Sequence, residues 1–252
     1  MRRNLACALA VILVIAGGLI HARSPEGGRA ARESWSDIWQ RRGSPAVAPS
    51  TVDDLIAIDG FDHAHDFKRV LQDYASLVKV GADDVVCDVG SGSGAFLHVL
   101  PRMKLAVCVD LSLNLLHVSH RFMKQHRPGM RALHVQGTMT DLWQVPSSLC
   151  DVAVVQSVFQ YLPDLKTVKA AVSELERITK PGGSIYLFDL RDGDKEKYTA
   201  LRSKAGITHS DPHLFVPRSF WGSAWKVHDP LAATKKLYYN APFAYNVVRK
   251  AR

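Results

Sequence analysis

The sequence predicts one α/β domain built on a doubly wound, mostly parallel sheet, and three observations carry that reading. Short apolar runs alternate with amphipathic, helix-length segments from about residue 67 to residue 188. Such alternation means βαβ units. The runs are continuously apolar, as in strands covered on both faces. Finally, a glycine-rich turn, Gly90-Ser91-Gly92-Ser93-Gly94, joins the first run to the helix after it. The chain has 252 residues, 47% apolar and 22% charged, which suits one globular domain with short additions.

Each element follows from local pattern. Phe67, Val70, Leu71, Tyr74, Leu77 and Val78 recur at helical spacing and predict a helix over 67–78. Strands are predicted at 85–89, 105–109, 132–135, 152–155 and 184–188. Helices are predicted at 95–100, 114–125 and 165–179. Residues 225–228 and 243–248 read as two further strands with no helix between them, an antiparallel hairpin at the sheet edge. Ahead of the sheet, residues 33–43 read as a short helix with Trp35 and Trp39 on one face. Those indoles either pack on the domain or form a lid. The stretch 58–63 reads as a turn rich in polar and aromatic residues, and 195–220 as a substrate-covering insertion.

The first residues differ in character. Arg2 and Arg3 precede an apolar run from Leu5 to Ile20, roughly 24 Å of helix, short of a ~30 Å hydrocarbon core. We expect a secretory signal cleaved near Ala22, or a short uncleaved anchor, in residues 1–23. That points to a secreted or membrane-anchored protein, with a cytosol-facing domain still open. Residues 24–50 read as linker and short helix, and 51–252 as the folded domain.

The net charge of +8 permits an anionic substrate, a membrane surface or nucleic acid. The basic residues form no long run and read as a solvated surface. No RNA-binding module or basic-aromatic cluster is present, so nucleic acid is disfavoured. The cysteines, Cys7, Cys87, Cys108 and Cys150, show no metal-ligand spacing and read as buried free thiols.

The chemistry concentrates at the glycine turn. Asp88 precedes it, and Asp110 closes the next strand. Glycine lets backbone approach a ligand closely, and in open α/β sheets ligands sit beyond the carboxyl ends of the strands. A carboxylate in the position of Asp110 can accept hydrogen bonds from ribose hydroxyls. The G-x-G-x-G spacing differs from the dinucleotide G-x-G-x-x-G, and no P-loop is present.

Asp88, Gly90-x-Gly92-x-Gly94, Asp110, Val135-Gln136-Gly137-Thr138-Met139, Asp151 with the apolar run 152–155 followed by Gln156, and Lys180-Pro181-Gly182-Gly183 together resemble the class I S-adenosylmethionine-dependent methyltransferases. The likeness is greatest to the small-molecule "type 11" group and covers about residues 66–190. It implies a Rossmann-like methyltransferase fold, with 191–224 as the substrate-covering segment. It implies that Asp88, Gly90, Ser91, Gly92 and Gly94 hold the amino-acid end of S-adenosylmethionine. Asp110 would take the ribose, with Leu111, Thr138 and Met139 beside the adenine. Gln156 would lie under the cofactor, and Ser157, Gln160 and Tyr161 would face the acceptor. The family often has Asp where Thr138 stands; a hydroxyl still accepts a hydrogen bond.

The acceptor is expected to be a small molecule, open to being anionic. No base is legible. Tyr161, His63, His209 and His213 are candidates, Asp189, Arg191 and Asp192 follow the fifth strand, and no metal is expected. Two other readings stay open: a cofactor-binding protein without catalysis, and a nicotinamide-dependent oxidoreductase.

Overall fold

The computed structural model describes residues 35–44, 48–61, 64–204, 213–237 and 241–251. The predicted signal or anchor segment and His63 and His209 lie outside these residues. Among the described residues, no helix is long and apolar enough to cross a membrane.

Seven strands form one sheet: β1 (Val85–Val89), β2 (Leu105–Asp110), β3 (Ala132–Gln136), β4 (Cys150–Gln156), β5 (Thr179–Arg191), β6 (Lys226–His228) and β7 (Ala244–Lys250). Their order is β3-β2-β1-β4-β5-β7-β6. β3, β2, β1, β4 and β5 run parallel, while β7 pairs antiparallel with β5 and β6. The order reverses between β1 and β4, which opens a crevice at the carboxyl ends of those two strands.

The pleat sorts the side chains between two cores. On one face Val86, Ala106, Cys108, Val154 and Phe188 meet α2 (Val52–Ile58), α3 (Ala64–Leu77), α4 (Ala95–Val99) and α5 (Leu113–His126). On the other, Cys87, Val107, Val109, Val155 and Leu187 meet Val168, Ala171, Leu175 and Ile178 of α6 (Leu165–Ile178). α3 shows why the pattern succeeds. Phe67, Val70, Leu71 and Tyr74 recur every three or four residues, and all are buried. Each stabilises the fold by about 1.5–3 kcal/mol through burial.

Several expectations need correction. α2 was not expected; Thr51 caps it, accepting from the Asp54 amide at 3.1 Å while Asp54 returns a bond to the Thr51 amide. The C-terminal strands pair antiparallel as expected, but the short helix α8 (Ala232–Leu237) lies between them. Residues 180–183 are an irregularity within β5, since Thr179 pairs with Cys150 and Ser184 with Val152. Part of the insertion after β5 is helical, α7 (Lys195–Lys204).

The cysteines are the largest correction. Cys87 and Cys150 are joined in a disulfide, with Cα atoms 5.8 Å apart and a sequence separation of 63. Cys108 remains a buried thiol. Nothing in the spacing announces the bond, because it depends on β1 and β4 becoming neighbours. Closing so long a loop restricts the unfolded chain. Cys150→Ala, or reduction of the bond, is expected to lower the free energy of unfolding by about 2–4 kcal/mol in a denaturant titration. Coincident curves for oxidised and reduced protein would show that the bond contributes nothing.

Candidate cofactor site

β1 delivers Asp88 and then the glycine turn into a cavity of about 340 Å³ at the carboxyl ends of β1, β2 and β4. The turn is tied to β2, for the amides of Gly90 and Ser91 donate to the Val109 carbonyl at 2.7 and 2.9 Å. Gly92 has φ +53°, and a Cβ there would stand 2.6 Å from Asp59 Oδ1. A side chain at this position meets both strain and collision.

Three carboxylates converge on the turn. Asp110 accepts from the Gly92 and Ser112 amides, each at 2.8 Å. Asp59 accepts from the Ser93 amide and hydroxyl, also at 2.8 Å. Asp88 is buried, and its Oδ2 has no hydrogen-bond partner. Burial pushes Asp59 up to about 7, although the Ser93 bonds oppose the rise. Burial, then the charges of Asp110 and Asp59, push Asp88 up to about 8. Burial also raises Asp110, against the pull of its backbone donors. A pocket holding this much latent negative charge suits a cationic ligand.

The cavity brings together Asp88, Gly90, Ser91, Gly92, Asp110, Leu111, Thr138, Met139, Gln156, Ser157 and Tyr161. Two expected residues are not on its wall. Gly94 turns away as the N-terminal cap of α4 at φ +85°, packed against the Ser119 hydroxyl. Gln160 is buried, and its carbonyl accepts from the Leu214 amide at 2.8 Å. Asp59 is the residue that sequence reasoning missed. Its only signal was the polar density of residues 58–63, and its position depends on α2.

Much of the remaining lining is aromatic and apolar. Ile56, Phe61, Phe67, Leu71 and Phe96 form it with Trp35 and Trp39 of α1 (Trp35–Arg42). Both indoles pack on Tyr161, with ring centroids 4.6 and 5.2 Å apart. The Ser112 hydroxyl and Asn114 amide bond to the Trp39 and Gln40 carbonyls at 3.1 and 2.9 Å, fastening α1 to the start of α5. Thus both indoles pack on the domain and also line the cavity. Burial pushes Tyr161 up to about 12, so its phenol stays protonated in ordinary buffers. His213 stands behind Tyr161, its Nδ1 2.7 Å from the Tyr198 hydroxyl.

Beside Gln156, β4 and β5 end in a hydrogen-bonded chain. Ser157 and Asp189 both have left-handed backbone, φ +56° and +63°, a strained state for residues with a side chain. Gln156 Nε2 donates to Ser157 Oγ, which donates to Asp189 Oδ2. Arg191 grips both Asp189 oxygens, Nη2 at 3.0 Å from Oδ2. The Asp189 amide donates to Asn246 Oδ1 at 3.0 Å, which anchors the turn to β7. Among the described residues, no cluster of three metal-ligating side chains occurs.

The raised carboxyls set the pH dependence of the ligand-free fold. A carboxyl with a higher pKa folded than unfolded makes the native state bind more protons. Stability is then greatest below the ordinary carboxylate range and falls as pH rises through about 7 to 8, the values for Asp59 and Asp88. Asp88→Asn removes the titration with little change of shape. At pH 8.5 the variant is expected to be more stable by about 1–3 kcal/mol, and its melting temperature should change less with pH. A wild-type melting temperature that stays level from pH 6 to 8.5 would mean that Asp88 is already ionised.

The comparisons agree with this geometry. Residues 87–187 match a family described as a methyltransferase domain. Over 113 residues the chain is 27% identical to the chondramide synthase of Chondromyces crocatus, covering 44% of this chain and 3% of that one. Over 143 residues it is 29% identical to the malonyl-[acyl-carrier protein] O-methyltransferase of Marinomonas sp. (strain MWYL1), covering 54% of this chain and 50% of the relative. It thus spans only a small part of the first relative and about half of the second. The crystal structure of geranyl diphosphate C-methyltransferase from Streptomyces coelicolor A3(2), bound to geranyl diphosphate and S-adenosyl-L-homocysteine, superposes with a TM-score of 0.59 at 12% identity, over 88% of this chain and all of that one. The match over residues 87–187 and the order of the sheet give the chain the fold of the class I S-adenosylmethionine-dependent methyltransferases.

Proposed function

We propose that the chain transfers a methyl group from S-adenosylmethionine to a small, largely apolar acceptor that offers a hydroxyl or amine. The observation that carries this is the pairing of a carboxylate-rich turn with an aromatic compartment in one cavity. The buried, partnerless Oδ2 of Asp88 fits the ammonium of the cofactor's amino-acid end. Asp110 would take the ribose, and Leu111, Thr138 and Met139 the adenine, all four lining the cavity. When bound, the cofactor supplies a methyl group on a cationic sulfur with a good leaving group, so positioning carries much of the rate.

The chain's own residues define the acceptor. The aromatic lining holds an apolar body. Ser157 donates its hydroxyl hydrogen to Asp189, which Arg191 clamps, and accepts from Gln156, so at most one lone pair of its oxygen is left for an acceptor. A hydroxyl or amine can donate to that lone pair; a carbonyl cannot. Tyr161 is left to orient the acceptor by packing and donation. We also propose that Leu5–Ile20 directs the chain to a membrane as leader or anchor. Sequencing the mature N-terminus checks this; an intact chain recovered in the soluble cytosolic fraction overturns it.

Calorimetry with S-adenosylmethionine, S-adenosylhomocysteine and NAD tests the cofactor. The first two should bind and NAD should not. S-adenosylmethionine should bind about three- to tenfold more tightly at pH 8.5 than at pH 6.5, because its cationic sulfur favours the ionised carboxylates. The gain should be smaller for the homocysteine. Gly92→Val should abolish binding in a folded protein, and Asp110→Ala should weaken it by about 1–3 kcal/mol. Undiminished affinity in both variants would remove the turn from the site.

A further inference from the structure

The edge of the sheet opposite the cavity carries a concentration of positive charge that the reaction does not use. Between residues 89 and 140 the sequence has six Lys or Arg residues and one acid, Asp110, which sits at the cavity end of β2. The cations gather where β2 and β3 begin and α5 ends. Arg102 lies just before β2, Arg127 and Arg131 lie between α5 and β3, and Arg121 and Lys124 lie near the end of α5. β2 and β3 are parallel neighbours, and the Arg131 carbonyl accepts from the Ala106 amide at 3.0 Å, so these starts adjoin.

Arg102, Arg121, Lys124 and Arg131 are exposed. Arg127 is half-buried and braces the edge, donating to the Leu97 and Leu100 carbonyls at 3.0 and 2.8 Å. Burial and the neighbouring charge of Arg102 hold its guanidinium below the usual value. Among the described residues, the ion pairs lie elsewhere, on Asp53, Asp151, Glu174, Glu176, Asp189, Asp192 and Asp229. None engages these five cations. The sequence spreads the charge over thirty residues; the fold collects it on one edge.

We propose that this edge is a docking surface for an anionic phospholipid bilayer. Clustered cations without acidic partners complement such a surface. Nucleic acid is the weaker match, because no Phe, Tyr or Trp between residues 101 and 131 is exposed to stack on a base. The sequence also places an apolar run, Leu5–Ile20, ahead of the domain. A polybasic patch and an apolar segment together hold a protein at a membrane more firmly than either alone. Docked by this edge, the domain keeps the carboxyl ends of its strands, and hence the cavity mouth, on the side away from the lipid.

The test is flotation of the full chain with phosphatidylcholine vesicles, with and without phosphatidylglycerol, at low and high salt. Because the apolar run can act on both vesicles, the readout is the preference for the anionic ones. Wild type should prefer them by at least about tenfold at low salt and lose the preference at high salt. The Arg121→Glu, Lys124→Glu, Arg131→Glu protein should lose it at low salt, with its circular dichroism and its affinity for S-adenosylhomocysteine unchanged. Should that variant not fold, the corresponding triple Gln variant should reduce the preference severalfold. No preference in wild type, or an equal preference in the variants, overturns the proposal. So does a duplex or single-stranded DNA that binds more tightly than the anionic vesicles and depends on the same residues.

Discussion

Three carboxylates packed around one glycine turn are the constraint on which the cavity depends. Asp59 comes from the end of α2, Asp88 from β1 and Asp110 from β2. They are drawn together because the turn's amides need acceptors: Gly92 takes Asp110, and Ser93 takes Asp59. The same packing removes them from water and sets their charges against one another. Burial therefore raises all three carboxyls above the ordinary carboxylate range. α2 has its capping box, and the turn has glycine at its left-handed positions, because each element must deliver a backbone donor or a carboxylate to one small volume.

The aromatic part of the cavity follows a different logic. Its walls come from segments far apart in sequence: α1, the segment around Phe61, and the end of β4 through Tyr161. None has a local pattern that announces a partner. The Ser157–Asp189–Arg191 chain exists because β4 and β5 end side by side, and because both turns accept left-handed backbone with β7 holding one of them. Backbone strain at two adjacent strand ends, together with a buried bidentate ion pair, gives the hydroxyl one orientation.

How much of this was legible in the sequence follows from the range of each interaction. The parallel strands and the helices after them were readable, because apolar runs and helical periodicity are local. So were the turn and its two flanking acids, since the strand–turn–helix unit is continuous in sequence. Asp59 was not, because its role requires α2 to fold back on the turn over more than thirty residues. Gly94 was assigned to the ligand because the motif groups it with Gly90 and Gly92; the fold instead spends its left-handed backbone on starting α4 against Ser119. The helix between the last two strands was missed because six residues give too little periodicity to recognise.

The Cys87–Cys150 bond also has a topological meaning. It joins neighbouring strands, and everything between them in sequence becomes a closed covalent ring containing the glycine turn, α4, β2, α5 and β3. A single cut anywhere in that ring would leave the chain in two pieces that remain one molecule until the bond is reduced. The turn, Asp110 and the basic edge all lie on the ring, whereas α1, Asp189 and Arg191 lie on the arms outside it. The glycine turn, Asp88 and Asp110 thus sit on a loop with no free end, whereas Asp59, the two indoles of α1 and the Asp189–Arg191 pair are carried on open chain.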